Sequence, residues 1–403
     1  MKATYVSAWP ALSPGLLLGR GLPAQRLPFP IAAPRTLSFH VARYGIYQLF
    51  CALGFGSGGS VLVPAYHHGN EVRAIRASGA RVRFYSIGTD MQPDLGEIEQ
   101  HLRSRPRALY VIHYLGWPQP IQELERLCRA RGTILIEDCA LALLSDVAGQ
   151  PLGCVGDYSV FCLYKTLPVP NGGLLAQNRG RLEGLGGLRL RSCGALSLGA
   201  RTLELVGEWV RGRSTSLGHA LFSLKRKGGQ ALTALGLARR PVGDSGFDGS
   251  CADVGMSGLS RLLLRRFDYV GVKAARRRNF ELLRERLRAR LPLLIERLDE
   301  GVCPLFFPLL VADKARAARE LAARGIEAVT FWNEGDAEAE RLPFDDVRFL
   351  RRHVLELPIH QDMNPGQIDY VAEQALRLEP IDVERTRRWP TSRRSRLPTA
   401  SLA

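Results

Sequence analysis

The chain has 403 residues, of which 46% are hydrophobic, and its 55 basic against 39 acidic residues give a net charge of +16. This length suits one large globular domain and a smaller one. No stretch approaches the roughly 20 apolar residues of a membrane span, and residues 1–35 are rich in proline instead of carrying a signal-peptide core. We therefore expect a cytoplasmic globular protein.

The cysteines and the positive charge narrow the possible partners. Eight cysteines are scattered without a CxxC pair or a Cys/His metal spacing, which predicts reduced thiols and no metal site. The charge could attract nucleic acid, anionic lipid or a phosphorylated substrate. Because the chain has no zinc-finger spacing, aromatic RNA-binding signature or clear helix-turn-helix, we expect no nucleic-acid partner.

Apolar runs of four to six residues alternate with helical patterns through the first half of the chain. This alternation predicts an α/β fold with a mostly parallel central sheet and flanking helices. In chain order we predict a helix at 44–53, a strand at 61–64, a helix at 70–80, strands at 82–85, 108–112 and 132–137 with helices at 95–104 and 121–131 between them, and a strand at 158–164.

The second half of the chain predicts a different organisation. Residues 180–250 are rich in Gly, Arg and Leu, and 200–240 have an amphipathic character that would suit either acidic membrane or a pair of lid helices, the reading we favour. A long helix at 255–291 and a small α/β domain follow, the latter with a strand at 306–311, a helix at 315–324 and a strand at 328–332. The predicted boundaries are a Pro-rich segment at 1–36, a large domain at 37–180, an insertion or lid at 181–250, an interdomain helix with the small domain at 251–380, and a disordered basic tail at 381–403.

Two polar residues follow apolar runs of the predicted sheet. Lys165 comes at the end of the run 158–164, and Asp138 comes directly after the strand at 132–137. In open α/β sheets, ligands bind beyond the carboxyl ends of the strands. Burial favours the neutral amine that forms a Schiff base, and a carboxylate nearby suits the ring nitrogen of pyridoxal phosphate. From the residues alone, a lysine near a strand end is usually a solvated loop residue, and Asp138 could equally be a helix cap.

Four motifs carry a resemblance to a known family. They are GGSVLVPAYHHGNEVRAIRASGARVRFYSI (58–87), YVIHYLGWPQPIQELERLCRARGTILIEDCA (110–140), GQPLGCVGDYSVFCLYKTLPVPNGGLLAQN (149–178) and LELPIHQDMNPGQIDYVAEQAL (355–376). In this order and at this spacing they resemble the DegT/DnrJ/StrS-type sugar aminotransferases. The resemblance covers roughly 40–178 and 255–376, and it implies the fold of the fold-type-I enzymes that depend on pyridoxal phosphate.

The resemblance also implies roles for individual residues. Lys165 would hold the cofactor as a Schiff base and shuttle a proton, and Asp138 would hold the pyridinium charge. His68 falls where the family has an aromatic residue over the cofactor ring, although it could instead be a turn histidine packed beneath the sheet. Family members are homodimers. The segment Ala42, Arg43 and Tyr44 falls on the phosphate loop, and Cys162 takes the place of a serine that helps to hold the cofactor.

Three positions depart from the family pattern. Leu141 stands in place of a polar residue, Cys162 is a poorer hydrogen-bonding group than serine, and Asp253 aligns near an asparagine that reaches the cofactor phosphate. The segment before Lys165 is also about two residues shorter than in the family. Two functions follow: transamination from an amino-acid donor such as glutamate to a keto group of a nucleotide-linked sugar, which we favour, or a homologue with weak or no transamination that acts as a partner or regulatory subunit.

Overall fold

A seven-stranded sheet forms the centre of the molecule, and the computed structural model describes it within residues 4–19, 26–214, 246–333 and 335–382. The predicted tail beyond residue 382 and residues 215–245 of the predicted insertion lie outside the described residues. The strands are β1 Thr36–Phe39, β2 Ser60–Pro64, β3 Arg81–Tyr85, β4 Ala108–Ile112, β5 Ile134–Asp138, β6 Asp146–Val147, β7 Gln150–Pro151, β8 Tyr158–Cys162, β9 Gly173–Gln177, β10 Phe306–Leu310 and β11 Val354–Pro358.

The strand order in the large sheet is β1-β9-β8-β5-β4-β2-β3. The five strands from β8 to β3 are parallel, while β9 runs antiparallel to both β8 and β1. Strands β4, β8 and β9 are buried along their whole length, as expected for a sheet that is covered on both faces. The carboxyl ends of β2, β4, β5 and β8 therefore open on one edge.

The helices connect these strands and build the smaller C-terminal part. They are α1 Pro14–Leu17, α2 Ala42–Ala52, α3 Asn70–Ala77, α4 Leu95–Leu102, α5 Ile121–Arg131, α6 Leu163–Thr166, α7 Glu183–Gly186, α8 Ala195–Arg211, α9 Gly258–Leu264, α10 Tyr269–Leu287, α11 Lys314–Ala323, α12 Ala337–Arg341, α13 Asp345–His353 and α14 Pro365–Ala375. Short 3₁₀ turns cover Phe55–Ser57 and Gly249–Cys251. Among the described residues, no helix is long and apolar enough to cross a membrane.

Local sequence chemistry explains several helix boundaries. Asp94 starts α4 by accepting hydrogen bonds from the backbone N–H groups of Gly96 and Glu97, and Asn364 starts α14 in a capping box with Gln367. Gly79 has a φ of +88° just beyond α3. This conformation favours glycine, and α3 ends earlier than the predicted residue 80.

Three element predictions differ from the structure. The strand β8 ends at Cys162, and Lys165 lies in the one-turn helix α6 instead of at a strand end. The predicted helix at 255–291 is two helices, since Asp268 caps the start of α10. Residues 328–332 form no strand: only Val329 bridges to Glu356, and the left-handed φ of +53° at Trp332 bends the chain away.

The N-terminal segment packs on the C-terminal part of the molecule. Val6 exchanges backbone hydrogen bonds with the 325–327 segment: its N–H donates to the carbonyl of Gly325, and its carbonyl accepts from Glu327, both at 2.9 Å. One residue further on, the Ser7 carbonyl lies 3.1 Å from Nε2 of the buried His360. The imidazole therefore acts as a neutral donor that ties the two segments together.

We predict that His360 makes the fold sensitive to mild acid. Burial and the nearby charge of Arg276 lower the pKa of His360 to about 3, below the ordinary value of about 6.5. Between these values the unfolded chain binds a proton that the folded chain excludes, so the stability present above pH 6.5 is lost as the pH falls. Between pH 7 and pH 5, wild type should lose about 1–2 kcal/mol more of its free energy of unfolding than His360→Gln, measured by urea titration.

The matched control for this experiment is His101→Gln, because His101 is a partly exposed histidine on α4. Its pH dependence should follow that of wild type. Equal pH dependence in wild type and His360→Gln would contradict the role assigned to His360.

Candidate active site

Lys165 lies just beyond the carboxyl end of β8, on the short helix α6. The Thr166 carbonyl at the end of α6 accepts hydrogen bonds from Nη2 of Arg276 and from Nε2 of Gln361, both at 3.1 Å. Arg276 is fully buried, so these bonds fix the turn that carries the lysine. The Nζ atom of Lys165 lies 5.4 Å from the centre of the Phe331 ring, within the range of a cation–π contact. The half-buried ammonium forms no hydrogen bond or ion pair with any other described residue.

Asp138 lies at the carboxyl end of β5, next to β8 in the sheet. Its Oδ2 accepts a hydrogen bond from the Tyr110 hydroxyl at 2.6 Å, and its Oδ1 accepts one from the Ala140 N–H at 2.8 Å. Burial raises the pKa of Asp138, the nearby Glu71 raises it further, and the charge of Lys165 opposes the shift. The structure thus brings Asp138 and Lys165 within electrostatic range of each other.

The first turn of α2 supplies a third part of the site. The helix begins at Ala42 with Val41 as its N-cap residue, and no side chain caps it. Strand β9 passes so close that a Cβ atom on Gly173 would lie 2.2 Å from the Ala42 nitrogen, so glycine is required there. Arg43 is buried, and its guanidinium lies 5.9 Å from the centre of the Tyr44 ring. Backbone N–H groups and a cation therefore converge at an end of a helix that favours anions.

Cys162 joins these parts, because it lies at the end of β8 in the middle of them. Burial raises the pKa of the Cys162 thiol, and the charges of Lys165, Asp138 and Arg43 all act on it. The strand register agrees: Cys162 pairs with Gly173, which approaches the start of α2, and the neighbouring strand β5 ends at Asp138. The sequence-predicted residues 42–44, 138, 162 and 165 accordingly lie around one point of the sheet edge.

His68 lies in the loop between β2 and α3, on the side of Asp138. Its backbone N–H donates to Oε1 of Glu71 at 2.8 Å. Burial alone would raise the pKa of Glu71, but the charges of His67 and His68 and two backbone hydrogen bonds lower it overall. Since Glu71 also acts on Asp138, His68 belongs to the same charge network. Stacking of its ring on a cofactor stays a prediction.

Several residues near Lys165 and Asp138 were missed by sequence reasoning. Tyr110 was read only as part of a buried strand, although a tyrosine in a strand next to an aspartate is a usable signal. Tyr164 is partly buried beside Lys165, and burial raises the pKa of its hydroxyl, while the charges of Arg43 and of Arg201 on α8 oppose the shift. Arg276 and Phe331 come from distant parts of the chain, and no local pattern indicates either.

The positions that depart from the family pattern have clear structural surroundings. Leu141 is buried in the main core, so an apolar side chain packs where a polar one was expected. Asp253 forms a bidentate pair with Arg191, with distances of 2.6 Å to Nε and 2.5 Å to Nη2. Its charge is therefore already countered within the chain.

A second polar cluster lies behind Asp138. His113, Glu137 and Cys139 are buried, and they place potential metal-ligand atoms within 4.8 Å of one another. Glu137 already accepts hydrogen bonds from Nε2 of His113 at 2.9 Å and from three backbone N–H groups between residues 153 and 156. The Nδ1 atom of His113 accepts from the Gln119 N–H. These bonds account for the cluster as a support of the loop before β8.

Cavities elsewhere in the molecule do not include Lys165 or Asp138. One of about 560 Å³ borders the 331–333 loop on the side of Lys314 and Arg351. Another of about 890 Å³ lies under the N-terminal segment, between Phe29 and Asn178. The candidate site is thus defined by the convergence of its side chains.

The fold and this site together define the architecture of the fold-type-I transferases, as predicted. Similarity to known proteins confirms both the fold class and the family resemblance. Residues 42–203 match the DegT/DnrJ/EryC1/StrS aminotransferase family. The match continues 23 residues beyond 180, the predicted end of the large domain, and it includes most of α8.

Relatives and solved structures agree with this match. GDP-perosamine synthase of Escherichia coli O157:H7 is 30% identical over 146 residues, which are 36% of this chain and 38% of that protein. The dTDP-4-dehydro-2,3,6-trideoxy-D-glucose 4-aminotransferase of Saccharopolyspora spinosa is 31% identical over 30% of this chain and 32% of its own length. The alignments with these two curated relatives thus span only 32% to 38% of the relatives' own length. The fold of PseC from Helicobacter pylori, described as an aminotransferase involved in the biosynthesis of pseudoaminic acid, superposes over 93% of this chain and 98% of that one with a TM-score of 0.67 at 14% identity.

We predict that Asp138→Asn stabilises the protein in the absence of any ligand. At pH 7 the substitution removes a buried charge next to Glu71, and the free energy of unfolding should rise by about 0.5–2 kcal/mol. Because burial raises the pKa of Asp138, the penalty exists only while the carboxyl is ionised, so the gain should shrink as the pH falls. Urea titrations at several pH values measure it.

The control is Asp299→Asn, which changes an exposed aspartate paired with Arg297. It should alter the free energy of unfolding by less than about 0.5 kcal/mol. Destabilisation by Asp138→Asn would mean that the two hydrogen bonds of the carboxylate outweigh its burial.

Proposed function

We propose that the chain is an aminotransferase dependent on pyridoxal phosphate that transfers an amino group, from glutamate as donor, to a keto group of a nucleotide-linked sugar in glycoconjugate biosynthesis. The observation that carries the proposal is that Asp138 at the end of β5, Lys165 just beyond β8, and the first turn of α2 against Gly173 lie at one edge of the sheet. The matched family and the aminotransferase activity of the Saccharopolyspora relative support it.

The described residues fit the cofactor. A buried carboxylate without a directly bonded cation is costly, and a protonated pyridine nitrogen would give Asp138 that partner. The uncapped first turn of α2 offers N–H groups to a phosphate, and Arg43 can add a charge-assisted contact. Lys165 supplies the amine for the aldehyde, and it has no competing ion pair among the described residues.

Each residue then has a separate task. The bound cofactor supplies an electron sink for the bond cleavage at the substrate carbon. The Nζ atom of Lys165 holds the cofactor and later moves a proton at the reacting carbon. The Asp138 carboxylate keeps the ring nitrogen protonated, and the buried Phe331 ring keeps water away from one side of Lys165. His68 is placed to cover the cofactor ring.

The substrate and the assembly are part of the same proposal. The net charge of +16 suits a diphosphate-linked sugar. We propose a homodimer in which Asp253 and its neighbours lie opposite the Lys165 of the other subunit, with no nucleic-acid partner. All eight cysteines are free, which agrees with a reducing compartment such as the cytoplasm.

One alternative rests on Leu141 and Cys162. These positions lack the polar groups that the family uses, so the chain could keep the fold and the cofactor but transaminate weakly or not at all, as a partner or regulatory subunit. The cofactor and the turnover must therefore be measured separately.

We predict that the purified protein binds pyridoxal phosphate and absorbs at about 410–430 nm, as lysine-bound cofactor does. Borohydride reduction should fix the cofactor on Lys165, which peptide mass spectrometry identifies. Lys165→Ala should abolish both signals and reduce any glutamate-dependent amino transfer at least 10³-fold, because the nucleophile and the proton carrier are lost.

Lys273→Ala is the matched control, because Lys273 is a partly buried lysine that pairs with Asp146. It should keep the colour and the labelling. A wild-type protein that binds no cofactor would contradict the proposal as a whole. Cofactor on Lys165 without transfer to any nucleotide keto-sugar would favour the regulatory alternative.

The homodimer has its own test. Light scattering should give twice the 44.5 kDa of one chain at micromolar concentration. A mass of one chain, together with full activity, would contradict a site shared between subunits.

A further inference from the structure

A buried pair of opposite charges lies directly behind Phe331. Lys314 starts α11 and is 3% exposed, and Glu356 lies in β11 and is fully buried. The Nζ atom of Lys314 lies 3.7 Å from Oε2 of Glu356. A loosely paired buried ion pair rarely stabilises a fold, since desolvation costs about as much as the attraction returns. Its presence therefore calls for another role.

Lys314 and Glu356 together hydrogen-bond both the carbonyl and the N–H group of Phe331. Nζ of Lys314 donates to the Phe331 carbonyl at 2.5 Å, and Oε2 of Glu356 accepts from the Phe331 N–H at 3.1 Å. Phe331 is not part of a strand, so its peptide groups have no sheet partners. The two charges thus replace the hydrogen bonds that secondary structure would otherwise provide.

The backbone held in this way is strained at the next residue. Trp332 has a φ of +53°, which is unfavourable for a bulky side chain and persists only where the surroundings enforce it. Its carbonyl accepts from Nη1 of Arg351 at 2.6 Å, and Nη2 of the same arginine donates to the Ala65 carbonyl at 2.8 Å. The loop is therefore fixed on both sides of the Phe331–Trp332 peptide.

We propose that Lys314 and Glu356 are positioning residues of the active site, which fix the backbone of Phe331 so that its ring lies against the Lys165 ammonium. The inference rests on the proposed function, in which Lys165 holds the cofactor. Neither charge reaches Lys165 itself, so both act through Phe331. Loss of the pair would free the loop to relax the strain at Trp332 and to withdraw the ring.

The pair also makes this positioning depend on pH. Burial raises the pKa of Glu356 to about 7, against the opposing effect of Lys314. The other groups that face the pair are Tyr66, on which Glu356 acts, and Arg351, which acts on Lys314. The hydrogen bond from the Phe331 N–H lowers the pKa of Glu356, so it is stronger to the ionised carboxylate. Because the carboxyl stays buried in β11 when the loop is released, losing this bond costs more above pH 7, and the loop should be held more firmly at pH 8 than at pH 6.

Hydrogen exchange in the cofactor-free protein tests the proposal without any activity. A peptide covering residues 326–333, followed by mass spectrometry and corrected for intrinsic rates, should exchange about tenfold more slowly at pH 8 than at pH 6 in wild type. In Glu356→Gln this difference should vanish, and Lys314→Met should exchange at least tenfold faster than wild type at pH 8. Lys273→Met, which breaks the pair of a partly buried lysine with Asp146, should behave as wild type.

Cofactor binding forms the second arm. Lys314→Met should raise the Kd for pyridoxal phosphate, measured by absorbance, by about fivefold or more. Phe331→Leu removes the ring and leaves the pair in place, so it should raise the Kd similarly while its exchange keeps the pH dependence. If Lys314→Met fails to fold, the double variant Lys314→Met with Glu356→Leu replaces the pair by apolar groups of similar size and should show the same fast exchange.

The outcomes separate the two proposals. Wild type that exchanges as described but binds no cofactor would overturn the proposed function and, with it, the role of the pair at Lys165. The positioning role alone would be overturned by three results together. Wild type binds the cofactor, Lys314→Met and Glu356→Gln exchange at the same rates as Lys273→Met, and Lys314→Met leaves the Kd for pyridoxal phosphate unchanged.

Discussion

The buried charge of Asp138 is the constraint on which the candidate site depends. The carboxylate is held by two hydrogen bonds from neutral donors, Tyr110 and the Ala140 N–H, and both are weaker than a bond from a cation. The sheet topology makes this placement possible: β4 and β5 are parallel neighbours, so Tyr110 lies beside the end of β5. A buried carboxylate without a directly bonded cation carries a desolvation cost that a cationic partner would relieve, and this is the basis of the role proposed for Asp138.

Lys165 is positioned by the smaller C-terminal part of the molecule as much as by the sheet. The short helix α6 could not hold itself, because one turn satisfies few of its own backbone groups. Arg276 and Gln361, from α10 and the segment after β11, supply donors to the Thr166 carbonyl. On the other side, Phe331 reaches Lys165 from a loop that three buried or half-buried charges hold. Lys165 therefore lies where the two parts of the chain meet.

Sequence patterns predicted most strands and helices of the large sheet well, but they predicted poorly where some strands end. The bounds of β4 and α5 match the prediction at both ends, because each has a strong periodic pattern. The errors at 158–164 and 328–332 share one cause. In both stretches the apolar residues continue beyond the last residue whose backbone pairs with a neighbouring strand. Beyond Cys162, the Leu163 N–H bonds to the Gly172 carbonyl and the chain turns into α6. Around 328–332 a β-rich stretch pairs only at Val329.

The residues of the candidate site also fall into two groups, those that the sequence could indicate and those that it could not. Asp138, Lys165 and the start of α2 follow strands or begin a helix, so local sequence and family motifs could indicate them. Glu356 and Lys314 could not be found, because a glutamate in a strand and a lysine at a helix start normally face water. Only the tertiary structure shows that both are buried and that they share Phe331.

Helix α8 shows why the segment after residue 180 matters to the site. Near its middle, Arg201 acts on Tyr164, next to Lys165. At its end, Glu208 accepts from the Tyr5 hydroxyl at 2.7 Å, and Arg211 bonds both Tyr5 and Glu327. Since ten residues of helix span about 15 Å, α8 links the neighbourhood of the lysine to the N-terminal segment and the small domain. A segment that acts on Tyr164 at one place and bonds the N-terminal segment at another belongs to the surroundings of the site, so the polar losses at Leu141 and Cys162 must be judged together with it.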